Sequence, residues 1–579
     1  MAEQELRQRR PTFLNARAAQ WETFRRQRED QVFLVLTLLI GALTGLVVVA
    51  FILLTENFGA RLYPMGAGTP WRRLLVPVAG SLAMGYLLYR YFPDARGSGV
   101  PQTKAALFAR EGKITLSTVF GKFFCTSATL ASGIPLGREG PAVQVGGGIA
   151  SVLGRAVGLP AERVKALIPV GAAAAVAAAF NTPLAAVLFA LEEVVGDMHA
   201  PVLGSVVLAS ATSWGVLRLL LGNDPLFQVP QYQLVNSWEL LVYGILGVAG
   251  GLVSVAFTQL LLRTREWFLK LPRKTVWFQP VAGGVVVGAM GWFVPQVMGV
   301  GYSYVGNALN DQLAFKLMVL LLVLKLIAVA ISYGSGNAGG IFGPSLFMGA
   351  MLGGAIGGVA HHFFPGYVAT PGAYALVGMG TAFAGIVRAP MTSVVMIFET
   401  TRDYAVIVPL MISNLVSYFI SSRLQGEPIY EVLADQDGIH LPVRVSSQQR
   451  KQVFQAMQPA GQCLEAAESL QEVLAKIANV GERTWLVCDH NGVIGVVTLE
   501  QLLTAGKGAN PERPVGDLVN GRDFPHLHSD HSLDLALERM GATHTDMLPV
   551  VSRANVHQLL GVVRLHNVLK SYGVEQGEV

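Results

Sequence analysis

Glu139 and Glu193 stand in apolar surroundings where a carboxylate is costly, and each sits beside a sequence pattern that implies chemistry. Glu139 lies in GREGPAVQVG (Gly137–Gly146), and GIFGPSLFMG (Gly340–Gly349) repeats its G-x-x-G-P-x-x-x-x-G pattern far along the chain. In both, Gly-rich irregular backbone precedes a proline and then an apolar helical run. Pro141 and Pro344 suit the first helical position, where a missing N–H costs nothing. Free backbone N–H groups and the positive dipole end then point out of each helix start. Several such starts converging, with no cluster of Lys or Arg, bind an anion loosely enough to release it. A carboxylate placed there takes the anion's seat, and protonation removes its charge and its reason to stay. One motif alone reads better as a Gly-rich packing turn, with Glu139 an ordinary N-terminal acid; the duplication reverses that preference in favour of the anion site. Glu193 follows Glu192 at the end of the apolar run FNTPLAAVLFALEEV (Phe180–Val194), where the dipole disfavours acids and a partner, solvent or function is required.

The elements that hold these residues belong in a membrane. The 579-residue chain is 52% hydrophobic and only 14% charged, against about 25% charged in soluble domains, and its mean hydropathy is +0.46. From Gly204 through Leu262 the acids and bases are Arg218, Asp224 and Glu239 alone. A single soluble core is excluded, and the chain is expected to cross the bilayer many times. Positions 1–28 hold seven Arg against three acids, which places the N-terminal segment 1–30 in the cytoplasm by the positive-inside rule. The net charge of +5 calls for no nucleic-acid partner. Cys125, Cys463 and Cys488 are too few and too scattered for a disulfide framework or a metal site.

Two further echoes accompany the glycine–proline motifs. Pro183, Val187 and Glu192 recur as Pro390, Val394 and Glu399, and the GSG at Gly97 recurs as the GVG at Gly299. Similar offsets in one order divide residues 31–435 into two homologous halves, about 31–235 and 236–435. Such duplication within a bilayer predicts an inverted repeat of broken helices, with the binding site where the halves meet.

After about residue 446 the chain turns mixed and charged, predicting a soluble α/β domain over 446–579. TWLVCD (Thr484–Asp489), VIGVV (Val493–Val497), MLPVV (Met547–Val551) and LLGVV (Leu559–Val563) have strand length, and Leu470–Ile477 and Leu533–Met540 helical patterning. GVVTLEQLL (Gly495–Leu503) recurs as GVVRLHNVL (Gly561–Leu569), giving two helix–strand–strand–helix copies over about 450–507 and 514–575.

GSGVP (Gly97–Pro101), GREGP (Gly137–Pro141) and GIFGP (Gly340–Pro344) resemble, in order and spacing, the three anion-site signatures of the CLC chloride channels and transporters. GEPIY (Gly426–Tyr430) is similar to the family's central-site tyrosine segment, and the duplicated tail resembles a tandem CBS pair. The resemblance implies an all-α polytopic membrane domain with a small cytoplasmic α/β appendage, acting as a homodimer in the cell membrane, the bacterial inner membrane by type. Its motif positions are Gly97, Ser98, Gly99, Pro101, Gly137, Arg138, Glu139, Gly140, Pro141, Gly340 and Pro344. It implies that chloride is bound by the Ser98 hydroxyl, the Tyr430 phenol and the backbone N–H groups of Ile341 and Phe342. Glu139 becomes the external gating glutamate and Glu193 the internal proton-transfer glutamate of exchangers. Lys122, in the GKFF stretch ahead of GREGP, becomes a buried countercharge. Serine at position 98 accompanies chloride preference in the family, with nitrate and bromide as further cargo. In the tail, Gln501 and Asn567 replace the acid that commonly holds an adenosine ribose, and Arg564 stands where the first copy has Thr498, which counts against adenine nucleotide there and leaves a dimer-stabilising module without ligand as the competing reading.

The leading reading is therefore a proton-coupled chloride antiporter without metal or other cofactor. A passive channel of the same fold is the nearest alternative. A CBS-regulated divalent-cation channel would want rings of intramembrane acids, and an intramembrane hydrolase a His or metal cluster, which the adjacent His361 and His362 do not make.

Overall fold

The computed structural model describes residues 13–63, 70–198, 200–222, 225–230, 232, 234–439, 441, 451–461, 463–477, 483–506, 512–519 and 524–572, with side chains from residue 31 onward. The side chains of the Arg-rich N-terminal segment lie outside that set. The chain divides into two compact units, Met1–Pro442 and Val443–Val579.

The first unit is helical and built twice. Its first half comprises α1 (Phe13–Leu62), α2 (Pro70–Arg90), α3 (Val100–Phe108), α4 (Leu116–Ala131), α5 (Glu139–Ala156), α6 (Ala161–Phe180), α7 (Pro183–Phe189) and α8 (Leu203–Leu221). The second repeats the series as α9 (Glu239–Leu269), α10 (Pro280–Phe293), α11 (Tyr302–Leu309), α12 (Phe315–Gly334), α13 (Phe342–Phe363), α14 (Pro371–Val387), α15 (Pro390–Thr401) and α16 (Ile407–Leu424), and α17 (Ile429–Gln436) closes the unit. Among the described residues seven helices are long and apolar enough to cross a bilayer. Short members such as α3, α7 and α11 are the broken elements, tolerated at membrane depth where they are buried in protein.

Local sequence explains where helices break. Pro101, Pro183 and Pro390 stand in the first turns of α3, α7 and α15, where no N–H is missed. Asn181 and Arg388, at matching places in the two halves, end α6 and α14 in the same left-handed conformation, φ 60° and 64°. The halves then interlock through acids. Glu192 accepts from Met391 N (3.2 Å) and Thr392 N (2.8 Å) at the start of α15. Glu399 accepts reciprocally from Leu184 N (3.1 Å) and Ala185 N (2.7 Å) at the start of α7. A carboxylate disfavoured at its own helix end is thus stabilised by the dipole of the other half's helix.

The second unit carries α18 (Val453–Ala456), then β1 (Leu464–Glu465), α19 (Leu470–Ile477), β2 (Thr484–Asp489), β3 (Gly492–Thr498) and α20 (Leu499–Gly506). The second copy follows as α21 (Leu533–Thr543), β4 (Met547–Val551), β5 (Leu559–Arg564) and α22 (Leu565–Ser571). β2 pairs antiparallel with β3, and β4 with β5, so both copies keep the helix–strand–strand–helix order. Their facing residues Leu486, Val493, Met547, Val551 and Val562 share one buried cluster. The expectation of unpaired cysteines fails here: Cys463 and Cys488 are joined as a disulfide, with Cα atoms 5.8 Å apart. The parallel pairing of β1 with β2 sets Glu465 opposite Cys488, which brings the preceding residues alongside despite their distance along the chain. Cys125 is free and buried, as expected.

Candidate anion and proton site

The two glycine–proline motifs, one from each half of the sequence, touch. Gly137 N donates to Gly340 O and Gly340 N to Gly137 O, both at 2.7 Å, an antiparallel bridge that sets the starts of α5 and α13 side by side. Pro141 and Pro344 occupy the third helical position rather than the first. Each helix thus begins ahead of its proline, and the substitution still costs nothing because the first-turn N–H groups have no intrahelical acceptor.

Glu139 opens α5, yet its carboxylate serves the other half. It is wholly buried. Oε2 accepts from Gly343 N at 3.3 Å, in the first turn of α13, and Oε1 accepts from the Tyr302 hydroxyl at the start of α11. A carboxyl group from the first half is therefore seated on an N-terminal turn of the second, with both donors supplied by that second half. Arg138, beside it, pairs with Glu56 at 3.1 Å and lies over the Tyr302 ring. The Phe342 ring packs against Phe180 and Phe383 with centroids 4.7 and 4.4 Å away, which fixes the first turn of α13 and the Ile341–Phe342 backbone.

The GSGVP loop runs beside this pair. Gly97 and Gly99 adopt φ +91° and +103°. A Cβ on Gly99 would lie 2.1 Å from Gly140 O, and one on Gly140 would lie 2.5 Å from Ser98 O, so the loop and the α5 start approach within a distance only glycine allows. Gly99, not Ser98, is the N-cap of α3, and Gln102 Oε1 accepts its N–H at 2.8 Å. Ser98 is thereby released from capping. Its hydroxyl and that of Tyr430 are fully buried, and among the described residues neither makes a hydrogen bond of ordinary geometry, a costly state for a polar atom. Tyr333 adjoins Ser98. Tyr430, on α17, feels the charges of Glu193, Glu139 and Glu431.

Lys122 does not snorkel. It is completely buried and donates to Ala95 O (3.0 Å) and Gly97 O (2.5 Å), holding the carbonyls that lead into Ser98. Lys325, unremarked in the sequence, repeats this at the equivalent place in the second half, donating to Val297 O (3.2 Å), Gly299 O (2.6 Å) and Val300 O (3.2 Å).

Glu193 is buried in a π-helical turn, Ala190–Val195, that follows α7. The extra residue in such a turn rotates the side chains, so Glu192 reaches α15 while Glu193 faces inward to Lys104 Nζ at 3.0 Å. Lys104 also binds Glu431, next to Tyr430, at 2.5 Å. A solvated helix end is excluded. Tyr302, Lys104, Lys325 and Glu431 escaped the sequence reading. The repeat offset would have found Lys325 from Lys122, and Tyr302 directly after the GVG echo; nothing local singles out Lys104 or Glu431.

In the tail, a cleft of about 1030 Å³ is lined by Thr484, Thr498, Gln501, His544 and Asp546. Thr498 and Gln501 cap each other across the start of α20: Thr498 N donates to Gln501 Oε1 at 2.9 Å, and Gln501 N to Thr498 Oγ1 at 3.3 Å. Among the described residues no group of three or more His, Cys, Asp or Glu is arranged to hold a metal ion.

Duplicated broken helices that bring first-turn N–H groups, buried hydroxyls and one buried carboxylate to the junction of two halves define a multi-pass membrane protein with a candidate anion site there. Residues 80–422 match the family described as voltage gated chloride channel, and residues 515–573 match the CBS domain. The chain belongs to the CLC family. It is 32% identical over 413 residues to the H(+)/Cl(-) exchange transporter ClcA of Vibrio cholerae serotype O1 (strain M66-2), covering 69% of this chain and 88% of that one. It is 35% identical over 364 residues to a Ralstonia nicotianae protein named as ClcB-like among chloride channel proteins, covering 62% and 84%. A slow cyanobacterial Cl-/H+ antiporter superposes with TM-score 0.65 at 28% identity over 70% of this chain and 97% of that one. A eukaryotic CLC transporter shares the fold over 92% and 97%, with TM-score 0.60 and 20% identity.

Proposed function

We propose that the protein is a proton-coupled chloride antiporter, with Glu139 as its gate. The seating of the Glu139 carboxylate on the α13 start, accepting from Gly343 N, carries this reading. In the cycle, a proton taken up on Glu139 neutralises the carboxylate, and the neutral side chain leaves. Chloride then takes the vacated N–H groups of α13 and the hydroxyls of Ser98 and Tyr430. These neutral donors replace hydration without a full countercharge, so the anion also departs. Return of the carboxylate needs loss of the proton, and Glu193 is assigned the inner end of that proton route. Its burial against Lys104 and its influence on Tyr430 support the role. Relatives named as H(+)/Cl(-) exchangers support the same reading.

The proposal includes a homodimer with one pathway per subunit, residence in the cell membrane with the CBS pair on the cytoplasmic side, and a tail that holds the assembly without a resident cofactor. The engagement of Thr498 and Gln501 with each other supports the last point. Lys122 acts by tethering the Ser98 loop. The alternative of a passive channel draws on the ClcB-like relative. Liposome flux with independent chloride and pH gradients separates the two, because only an exchanger's reversal potential moves with pH. Glu139→Gln is expected to abolish proton movement while chloride still flows, and Glu193→Ala to give uncoupled chloride flux. Full proton coupling in either variant overturns that residue's role.

A further inference from the structure

Among the described residues the Glu139 carboxylate has two hydrogen-bond donors, of which one is backbone. Gly343 N is fixed by the start of α13, whereas the Tyr302 hydroxyl is a side-chain donor brought from α11. Tyr302 is held for this task. Its ring meets Phe227 edge-on at 5.7 Å, and Arg138, anchored on Glu56, covers the ring at 5.7 Å. The loop ahead of it is pinned by Lys325 through Val297, Gly299 and Val300. Among the described residues, the titratable and charged groups that face Glu139 are thus Tyr302 from α11, Arg138 from the α5 entry with its partner Glu56 from α1, and Tyr430 from α17.

We infer that Tyr302 is a positioning residue of the exchange cycle, a latch whose hydroxyl holds the ionised Glu139 in the anion's seat and so sets how readily chloride and protons displace it. A phenol O–H donates more strongly to a carboxylate than to a carboxylic acid. The latch therefore grips the closed, charged gate and slackens when the gate takes a proton, with no bond made or broken beyond that proton transfer. Charge-assisted hydrogen bonds differ from ordinary ones by enough to alter an equilibrium about tenfold. The inference rests on the reading of Glu139 as gate.

The test is full-length protein in liposomes, comparing Tyr302→Phe with wild type across pH and chloride. Phe keeps the ring against Phe227 and Arg138 and removes only the donor. The expected result is a half-maximal chloride concentration about tenfold lower, and a pH of half-maximal exchange about one unit higher, since one unit is tenfold. In the Glu139→Gln background, which has no charged gate to hold and passes chloride alone, Tyr302→Phe should leave the half-maximal chloride concentration unchanged. An unshifted pH profile, or an equal loss of rate in both backgrounds, overturns the latch. Placing 3-fluorotyrosine at 302 supplies a stronger donor of nearly the same shape and decides the matter if Tyr302→Phe fails to assemble. The half-maximal pH must then move down, and a profile that stays put refutes the inference. Should Glu139→Gln itself keep full proton coupling, the gate reading fails first; an uncoupled Glu139→Gln beside an unaffected Tyr302→Phe removes the latch alone.

Discussion

Replacing Gly99 by Ala adds one methyl group at the tightest point of the site, and the structure sets the cost. Gly99 has φ +103° and ψ −43°, outside the wells open to L residues, a strain of about 1–3 kcal/mol. Its new Cβ would sit 2.1 Å from Gly140 O, which belongs to the first turn of α5 and yields only if the helix moves. Overpacking of this kind costs about 1–3 kcal/mol. The sum, about 2–6 kcal/mol, is a large share of the roughly 5–15 kcal/mol that stabilises a typical domain. The loop is therefore expected to withdraw from α5 and carry the Ser98 hydroxyl with it. Chloride binding by calorimetry in detergent should weaken at least tenfold, and the melting temperature should fall. Gly140→Ala presses on Ser98 O across the same gap at 2.5 Å. Once one methyl has opened that gap the second adds little, so the double variant should fall short of additivity. Gly306→Ala is the control: on α11, with nothing within 4 Å of the added Cβ, it should be neutral or stabilising by about 0.5–1 kcal/mol. Wild-type chloride affinity in Gly99→Ala, or additive losses in the double variant, would refute the close-approach explanation.

The crossed acids separate scaffold from mechanism. Glu399→Ala strips the α7 start of its two acceptor contacts and should cost about 1.5–3 kcal/mol in thermal melting, with the chloride-to-proton ratio unchanged. A changed ratio would draw Glu399 into the transport cycle. Lys325→Met leaves three carbonyls of the 297–300 segment without their donor, each loss worth about 1–3 kcal/mol. It should destabilise far more than Lys270→Ala, whose exposed pairing with Glu266 contributes at most a small surface-pair effect; comparable melting curves for the two variants would contradict the tether.

Legibility in the sequence followed the range of the physics. Strands β2 and β4 carry the bounds that their apolar runs predict, Thr484–Asp489 and Met547–Val551, because period and length are local properties. The helix starts were visible for the same reason: Pro and Gly act within a turn of where they stand. The duplication was visible as spacing, but what the duplicated acids do was not. Glu192 and Glu399 each find their partner in the opposite half, far off along the chain, and no local pattern encodes how two halves interlock. Lys104 is the sharper case. On the sequence it is one more helix base near GSGVP, and only the fold sets it between Glu193 and Glu431. Cys463 and Cys488 were misread in like manner, since their adjacency is a product of β-strand register.

The departures from symmetry fall at the candidate site. Position 139 holds Glu, while its counterpart in the second motif is Phe342; Ser98 faces Val300 in the repeat, and Val100 faces Tyr302. A symmetric sequence would set two carboxylates at neighbouring helix starts bridged by Gly137 and Gly340, and like charges sharing one site cannot both ionise. One half therefore keeps the acid while the other supplies the N–H groups that receive it, with Phe342 packed into an aromatic cluster instead of competing for the seat. The same division of labour explains Tyr302. A hydroxyl on α11 reaches the acid from the opposite half, where Val100, its counterpart on α3, offers none. Duplication supplied two equivalent helix starts, and a few unequal side chains leave one carboxylate seated on the N–H groups of the other half.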